Sequence, residues 1–319
     1  MIKFVPSKAT HTSRIFRFAH ISDPHLSNLD NIAWRQLCNK RILGYLSWRF
    51  SRRFIHRLDI LNALINDIDQ AKVNHLVISG DLTHIGTATE CEQVSLWLKG
   101  LGTASDISVI PGNHDNYTPN DPAQTTDQWL SYMSGDVQSN QEANSKTIFP
   151  SFRQRDSLAI IGLSTALPTA PFFATGRLGQ EQIDKLAELL KQTGEKGLFR
   201  IVMLHHGPLA ETNKFRKRLI DAAQFRSVIK SHGAELILHG HGHEPVNGLL
   251  QTPYSKIPVI GVASASLLSS SINKRAGYNI YEVKQAASHW RLKILSRSYE
   301  TENAVFKTRE EMEFTLPIA

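Results

Sequence analysis

Cysteine is scarce: the 319 residues hold two, Cys38 and Cys91, and neither belongs to a CxxC pair. That excludes a disulfide-stapled scaffold and a thiolate zinc ribbon, and two free thiols are expected. Long hydrophobic runs are missing too. No window approaches the roughly 18 consecutive apolar residues of a membrane span, and residues 1–12 lack the apolar stretch of a secretory signal, so a cytoplasmic chain is expected. There is no internal repeat and no low-complexity tract. Acidic residues are absent from one place in particular. Between residues 31 and 57 there is no Asp or Glu, while seven basic residues (Arg35, Lys40, Arg41, Arg49, Arg52, Arg53, Arg57) stand there. The formal net charge of the chain is +7, so this one segment carries an excess equal to the total.

What is present reads as a globular α/β chain, with 41% hydrophobic and 20% charged residues. Short apolar runs at 16–21, 75–80, 107–110, 157–164, 199–204 and 235–239 predict buried strands. Helices are expected between them at 57–72, 88–101, 180–192 and 215–232. Strands at 258–264, 277–283 and 290–298 follow. The pattern predicts two stacked mixed sheets flanked by helices, with functional loops on one rim. We expect one domain over residues 1–300 carrying a basic insert at about 31–57, and a C-terminal tail or edge strand over 301–319. The polar stretch 116–146 is expected to be a loop with a short helix, a candidate lid.

Five strand ends carry Asp, Asn and His: Asp23-Pro24-His25, Gly80-Asp81, Gly112-Asn113-His114-Asp115, His205-His206 and Gly240-His241-Gly242-His243. In an extended loop Asp23 and His25 would point the same way. Asp81, directly after a strand, is placed to bridge two ions. Oxygen and nitrogen donors without thiolate suit Mn, Fe or Zn. Polar strand ends and core histidines are the plain alternative, but five such clusters in five separate loops speak against it.

In this order, the five clusters resemble the blocks of the calcineurin-like metallophosphoesterases, over residues 16 to about 245. The resemblance implies a four-layer α/β/β/α sandwich and two divalent ions (Mn2+, Fe2+/Fe3+ or Zn2+). One ion would take Asp23, His25, Asp81 and His243; the other would take Asp81, Asn113, His205 and His241. A bridging hydroxide would leave a net charge of about +1 to meet a phosphate ester. His114 would bind the phosphate and help protonate the leaving group, with Asp115 as a support behind it. His206 is an alternative to His205, and His84 and His239 are expected to be supporting residues. Where the phosphoprotein phosphatases continue as Asp-Arg-Gly, this chain has His84-Ile85-Gly86, and where they end in Glu it has Asp115. That argues against a protein phosphatase and for a phosphodiesterase, with cyclic nucleotides as the substrate class. The alternative is a UDP-2,3-diacylglucosamine pyrophosphate hydrolase of lipid A synthesis, peripheral on the inner face of the membrane. A second alternative is a non-catalytic metal-binding scaffold that docks through the insert.

In the insert, Leu43, Leu46, Phe50 and Phe54 step by three, four and four, as on one face of an amphipathic helix. This face either packs on the domain as a cap, or meets an anionic membrane or lipid substrate, with Arg41, Arg49, Arg52 and Arg53 as contacts. Nucleic acid ranks below both. The oligomeric state is left open.

Overall fold

Runs of Leu, Ile and Val too short for helices form the middles of two six-stranded sheets. The computed structural model describes residues 1–4, 15–26, 28–30, 32–119, 126–136, 148–209 and 214–318. The strands of the first sheet are β1 (Ile15–Ile21), β2 (His75–Ile78), β3 (Ile107–Val109), β10 (Gly277–Gln285), β11 (His289–Glu300) and β12 (Val305–Pro317). Their order is β12-β11-β10-β1-β2-β3, with β1, β2 and β3 parallel and β10 to β12 antiparallel. The second sheet is built from β4 (Ser151–Arg155), β5 (Leu158–Gly162), β6 (Phe199–Met203), β7 (Leu236–His239), β8 (Val246–Gln251) and β9 (Lys256–Gly261). Its order is β4-β5-β6-β7-β9-β8, with β5, β6, β7 and β9 parallel.

Alternation along the strands makes four layers. On β6 and β7, Ile201, Met203, Leu236 and Leu238 join the core shared with the first sheet, whereas Val202 and Ile237 face the opposite way. There they meet Leu186 and Leu190 of α6 (Gln180–Glu195) and Phe225 and Ile229 of α7 (Ala222–His232). The first sheet packs on Leu61, Leu64 and Ile68 of α3 (Leu58–Ala71) and on Val94 and Leu98 of α4 (Ala88–Leu101). Helix α4 starts where a capping box forms, with Thr87 accepting from Glu90 N–H and Glu90 reaching back to the Thr87 N–H.

Several expectations change. Residues 215–232 are not one helix: a 3-10 turn at Phe215–Lys217 is followed by an extended step in which Leu219 bridges Gly176, and α7 starts after Asp221. The Asp221 carboxylate accepts from Leu178 and Gly179 N–H groups and fixes that step. The short helix in the 116–146 stretch, α5 (Leu130–Met133), is no lid where it is described. Trp129, Tyr132 and Met133 are buried in the main core, and residues 120–125 and 137–147 lie outside the described residues. The insert is helical throughout 41–55 but irregular: α1 (Arg41–Ser47) passes through a π turn, Trp48–Arg52, into the single turn α2 (Arg53–Ile55). Cys38 is exposed, Cys91 is buried and both are free.

Candidate metal centre

All five polar clusters follow the C-terminal ends of parallel strands β1, β2, β3, β6 and β7, where the two sheets open onto a common rim. Two loops meet there backbone to backbone. A Cβ on Gly80, whose φ is +97°, would lie 2.6 Å from Gly112 N, and one on Gly112 would strike the Asp81 carboxylate. The loops are bolted by Asp115. Its Oδ2 accepts from the N–H groups of Asp81 (2.8 Å) and Gly112 (2.9 Å). Its Oδ1 accepts from Leu82 and Thr83 N–H (both 2.9 Å) and from Thr83 Oγ1 (3.0 Å). Burial and then the Asp81 charge push the Asp115 carboxyl up to about 7, against the pull of these donors.

The side chains expected at the centre converge. Single ligand atoms of Asp23, His25, Asp81 and His243 lie within 4.8 Å of one another, and so do those of Asp81, His205 and His241. Asp81 belongs to both groups. Its Oδ2 is 3.2 Å from His205 Nε2, its Oδ1 accepts from His114 N–H at 2.8 Å, and Asn113 Oδ1 is 3.2 Å from His205 Nε2. The backbone that presents these groups is not extended. Asp23, His25, Asp81, His241 and His243 hold φ values of 51°, 43°, 58°, 67° and 56°. Asp23 and His25 therefore converge through left-handed turns rather than by strand alternation, a costly conformation that the surrounding contacts must hold in place.

Donor chemistry and the missing partners fit divalent cations. Asp23 Oδ1, His25 Nε2 and His241 Nε2 are buried without a hydrogen-bond partner, Asp23 Oδ1 lying 3.0 Å from His243 Nε2 outside hydrogen-bond geometry. His25 Nδ1 donates to Thr83 O at 2.8 Å, which turns the lone pair of Nε2 toward the centre. Burial first, then neighbouring imidazoles, holds His25 and His241 well below the ordinary histidine range, neutral as a ligand must be. Burial alone would raise Asp23 and Asp81, but facing histidines hold both below the usual carboxylate value. Burial also works against protonating His205, yet Asp81 and its hydrogen bond raise it to about 9, so a bound cation would displace a proton there.

The supporting histidines separate clearly. His206 uses both ring nitrogens, accepting at Nδ1 from Thr165 Oγ1 (2.7 Å) and donating from Nε2 to Ala174 O (3.1 Å), so it has no lone pair for an ion. His205 donates from Nδ1 to Ser79 O at 2.7 Å and keeps Nε2 facing Asp81. His84 stacks on His25 at 5.1 Å and His239 contacts Gly240 O; neither joins a ligand group. His114 donates from Nδ1 to His84 O, which leaves Nε2 as an acceptor 3.1 Å from Arg52 Nη1. Burial, then that guanidinium, lowers its pKa to about 4.

The insert arginines have different fates. Arg52 reaches the centre. Arg41 does not: it donates to Ile85 O (3.0 Å) and Gly86 O (2.6 Å), holding the loop beyond Asp81. Arg53 lies over Trp48 and Phe54 and pairs with Asp30 at 3.5 Å, while Arg49 is exposed. The apolar stripe does not pack down as a cap. Trp48, 4% exposed, is the anchor against Leu29 and Ile85, whereas Phe50 and Phe54 are 75% and 56% exposed and Leu43 and Leu46 are also open. The sequence reading missed His56, whose ring stands 4.5 Å from that of His25.

Beside Asn113 and His114 opens a cleft of about 640 Å³. Lys40, Arg52, Lys214, Arg216 and Lys217 line it, and among the described residues no carboxylate does. Leu43, Phe172, Phe173 and Phe215 supply its apolar wall.

Residues 16–245 match the family described as calcineurin-like phosphoesterase. A protein of Synechococcus sp. named a probable cyclic nucleotide phosphodiesterase is 26% identical over 238 residues, covering 73% of this chain and 80% of that protein. One of the same name from Vesicomyosocius okutanii is 24% identical over 225 residues, covering 69% and 82%. Among solved structures, a dimetal phosphatase from Danio rerio superposes with a TM-score of 0.56 at 12% identity, covering 95% of this chain and 99% of that one. That likeness is one of fold.

Proposed function

Because this chain belongs to the calcineurin-like phosphoesterase family, we propose that it hydrolyses a phosphodiester at a two-ion centre. The ligands would be Asp23, His25, Asp81, Asn113, His205, His241 and His243, and cyclic nucleotides are the leading substrate class. The observation that carries this reading is Asp81, whose carboxylate belongs to both ligand groups and would lie between the ions. Two ions of the Mn2+, Fe2+/Fe3+ or Zn2+ kind would supply an acidified water and a clamp on the phosphoryl oxygens.

The chain's own residues do the rest. Arg52 Nη1 would turn from His114 Nε2 to a non-bridging oxygen of the substrate. His114 Nε2, released and now beside an anion, takes up a proton and passes it to the leaving oxygen. The oxygen of water bonds to phosphorus as the bond to the leaving oxygen breaks, giving a phosphomonoester and a free hydroxyl, which in a cyclic nucleotide stays on the same, ring-opened molecule. Hydrolysis of bis-p-nitrophenyl phosphate against p-nitrophenyl phosphate with added Mn2+ tests this. The diester is expected to turn over faster, and Asp81→Ala is expected to lose about a hundredfold or more. Equal rates for mutant and parent would remove the reading.

A second reading is hydrolysis of a lipid-linked pyrophosphate such as UDP-2,3-diacylglucosamine at an anionic membrane surface. What supports it is the exposed stripe Leu43, Leu46, Phe50, Phe54 beside a cleft whose five cations exceed the single charge of a phosphodiester. Among the described residues no helix is long and apolar enough to cross a membrane. Comparing kcat/KM for cyclic AMP and for a nucleoside diphosphate ester decides between the two readings.

A further inference from the structure

The basic insert does more than flank the centre, because its exit is pinned against it. Leu268 N–H donates to Ile55 O (2.7 Å), Arg57 N–H donates to Ser266 O (2.9 Å), and His56 forms an isolated bridge with Leu267. This short antiparallel contact fixes the backbone on both sides of His56. The ring is then oriented by Ser266, whose Oγ is 2.9 Å from His56 Nδ1. It stands edge-on to two histidines already assigned to the centre, with ring centroids 4.5 Å from His25 and 5.7 Å from His243. Single ligand atoms of His25, His56 and His243 all lie within 4.8 Å of one another. His25 Nε2 is one of the buried nitrogens with no partner.

We infer that His56 is a further nitrogen ligand of the metal centre, closing a three-imidazole face with His25 and His243. The inference rests on the two-ion reading above. Its chemical consequence is selectivity: a face of three imidazoles favours Zn2+, Co2+ or Fe2+ over Mn2+ and Mg2+, which prefer oxygen. His56 comes from a segment outside the five strand-end clusters, so the insert would be part of the centre itself. The same segment carries Arg52, which meets His114, so its docking would assemble both an ion ligand and a phosphate contact.

The test is Co2+ and Mn2+ binding to the full-length metal-free protein by calorimetry, with the visible absorption of the Co2+ form as a second readout. His56→Ala and His56→Phe are compared with the parent; phenylalanine keeps the ring packing and removes the nitrogen. Both variants are expected to bind Co2+ at least about tenfold more weakly, with a smaller change for Mn2+. Their Co2+ bands should also shift as a nitrogen donor is lost. Ser266→Ala, which frees the ring but keeps it, is expected to give part of the same loss. Parent-like Co2+ affinity and spectrum in both His56 variants would overturn the assignment while leaving the two-ion reading intact. Failure of the parent to bind any ion would overturn both.

Discussion

The Asp115 carboxylate sits one step behind Asn113 and His114, and five donors from two loops end on it. Its work is to hold the left-handed turn at Asp81 in place, which is why it needs two acceptor oxygens rather than one. Asparagine at this position would turn an NH2 group toward backbone N–H donors and leave at least one of them buried without a partner. Asp115→Asn is therefore expected to cost about 2–4 kcal/mol of stability, read by urea unfolding with and without metal. A loss within about 0.5 kcal/mol of zero would mean that the carboxylate is not the bolt. Much at this scale was legible in the sequence: Asp23, His25, Asp81, Asn113, His205, His241 and His243 all stand in loops that follow apolar runs, and all are drawn to one place. His56 was not legible. It has no polar neighbour of the metal-ligand kind in sequence, and only the bridge to Leu267 brings it to His25.

Among the elements, the insert helix keeps Leu43, Leu46, Phe50 and Phe54 exposed, while the π turn at Trp48–Arg52 goes with the burial of Trp48 and the inward reach of Arg52. The stripe is left facing outward beside Arg49. If this surface meets an anionic membrane, the protein should sediment with vesicles containing phosphatidylglycerol and remain in solution with neutral vesicles. Phe50→Ser with Phe54→Ser should abolish sedimentation with little change in melting temperature, since both rings are largely exposed. Equal recovery in the supernatant with both vesicle types would sink the membrane reading. Where strands were half legible or missed, the reasons are physical. Strand β12, expected over 301–319 only as a tail or an edge strand, is an edge strand polar along most of its length, so no apolar run decides between the two. Strand β4 carries Arg153 at a buried position, where its guanidinium donates to the carbonyls of Ile107, Ser131 and Ser134, contacts that a hydropathy pattern cannot anticipate.

For the molecule as a whole, the centre is a clasp between sheets: Asp23, His25 and Asp81 come from the first, His205, His241 and His243 from the second. Each bound ion should therefore stabilise the fold by about 2.7 kcal/mol when free metal stands a hundredfold above its Kd, and EDTA should lower the melting temperature accordingly. The metal-free protein should also be acid-sensitive. Burial holds His20 and His206 at about 3 and His75 well below its ordinary value. Above about pH 6.5 the folded and unfolded chains are both neutral at these sites and the contribution is complete. Below it the unfolded chain takes up protons that the folded chain refuses, and stability falls by about 1.4 kcal/mol per pH unit for each histidine. Urea titrations in EDTA at about pH 7.5 and about pH 5.5 check this. His20→Gln should flatten the dependence, and parallel curves for mutant and parent would contradict it. The second sheet, β4 to β9, is one continuous stretch of chain, whereas the first is closed only when β10 pairs with β1 across more than half of the sequence. On the ribosome, then, Asp23 and His25 emerge early on a strand that can pair with β2 at once but keeps its other edge open until residues 277–285 have been made. One edge of the strand that carries these two ligands therefore stays unpaired while the whole second sheet is made.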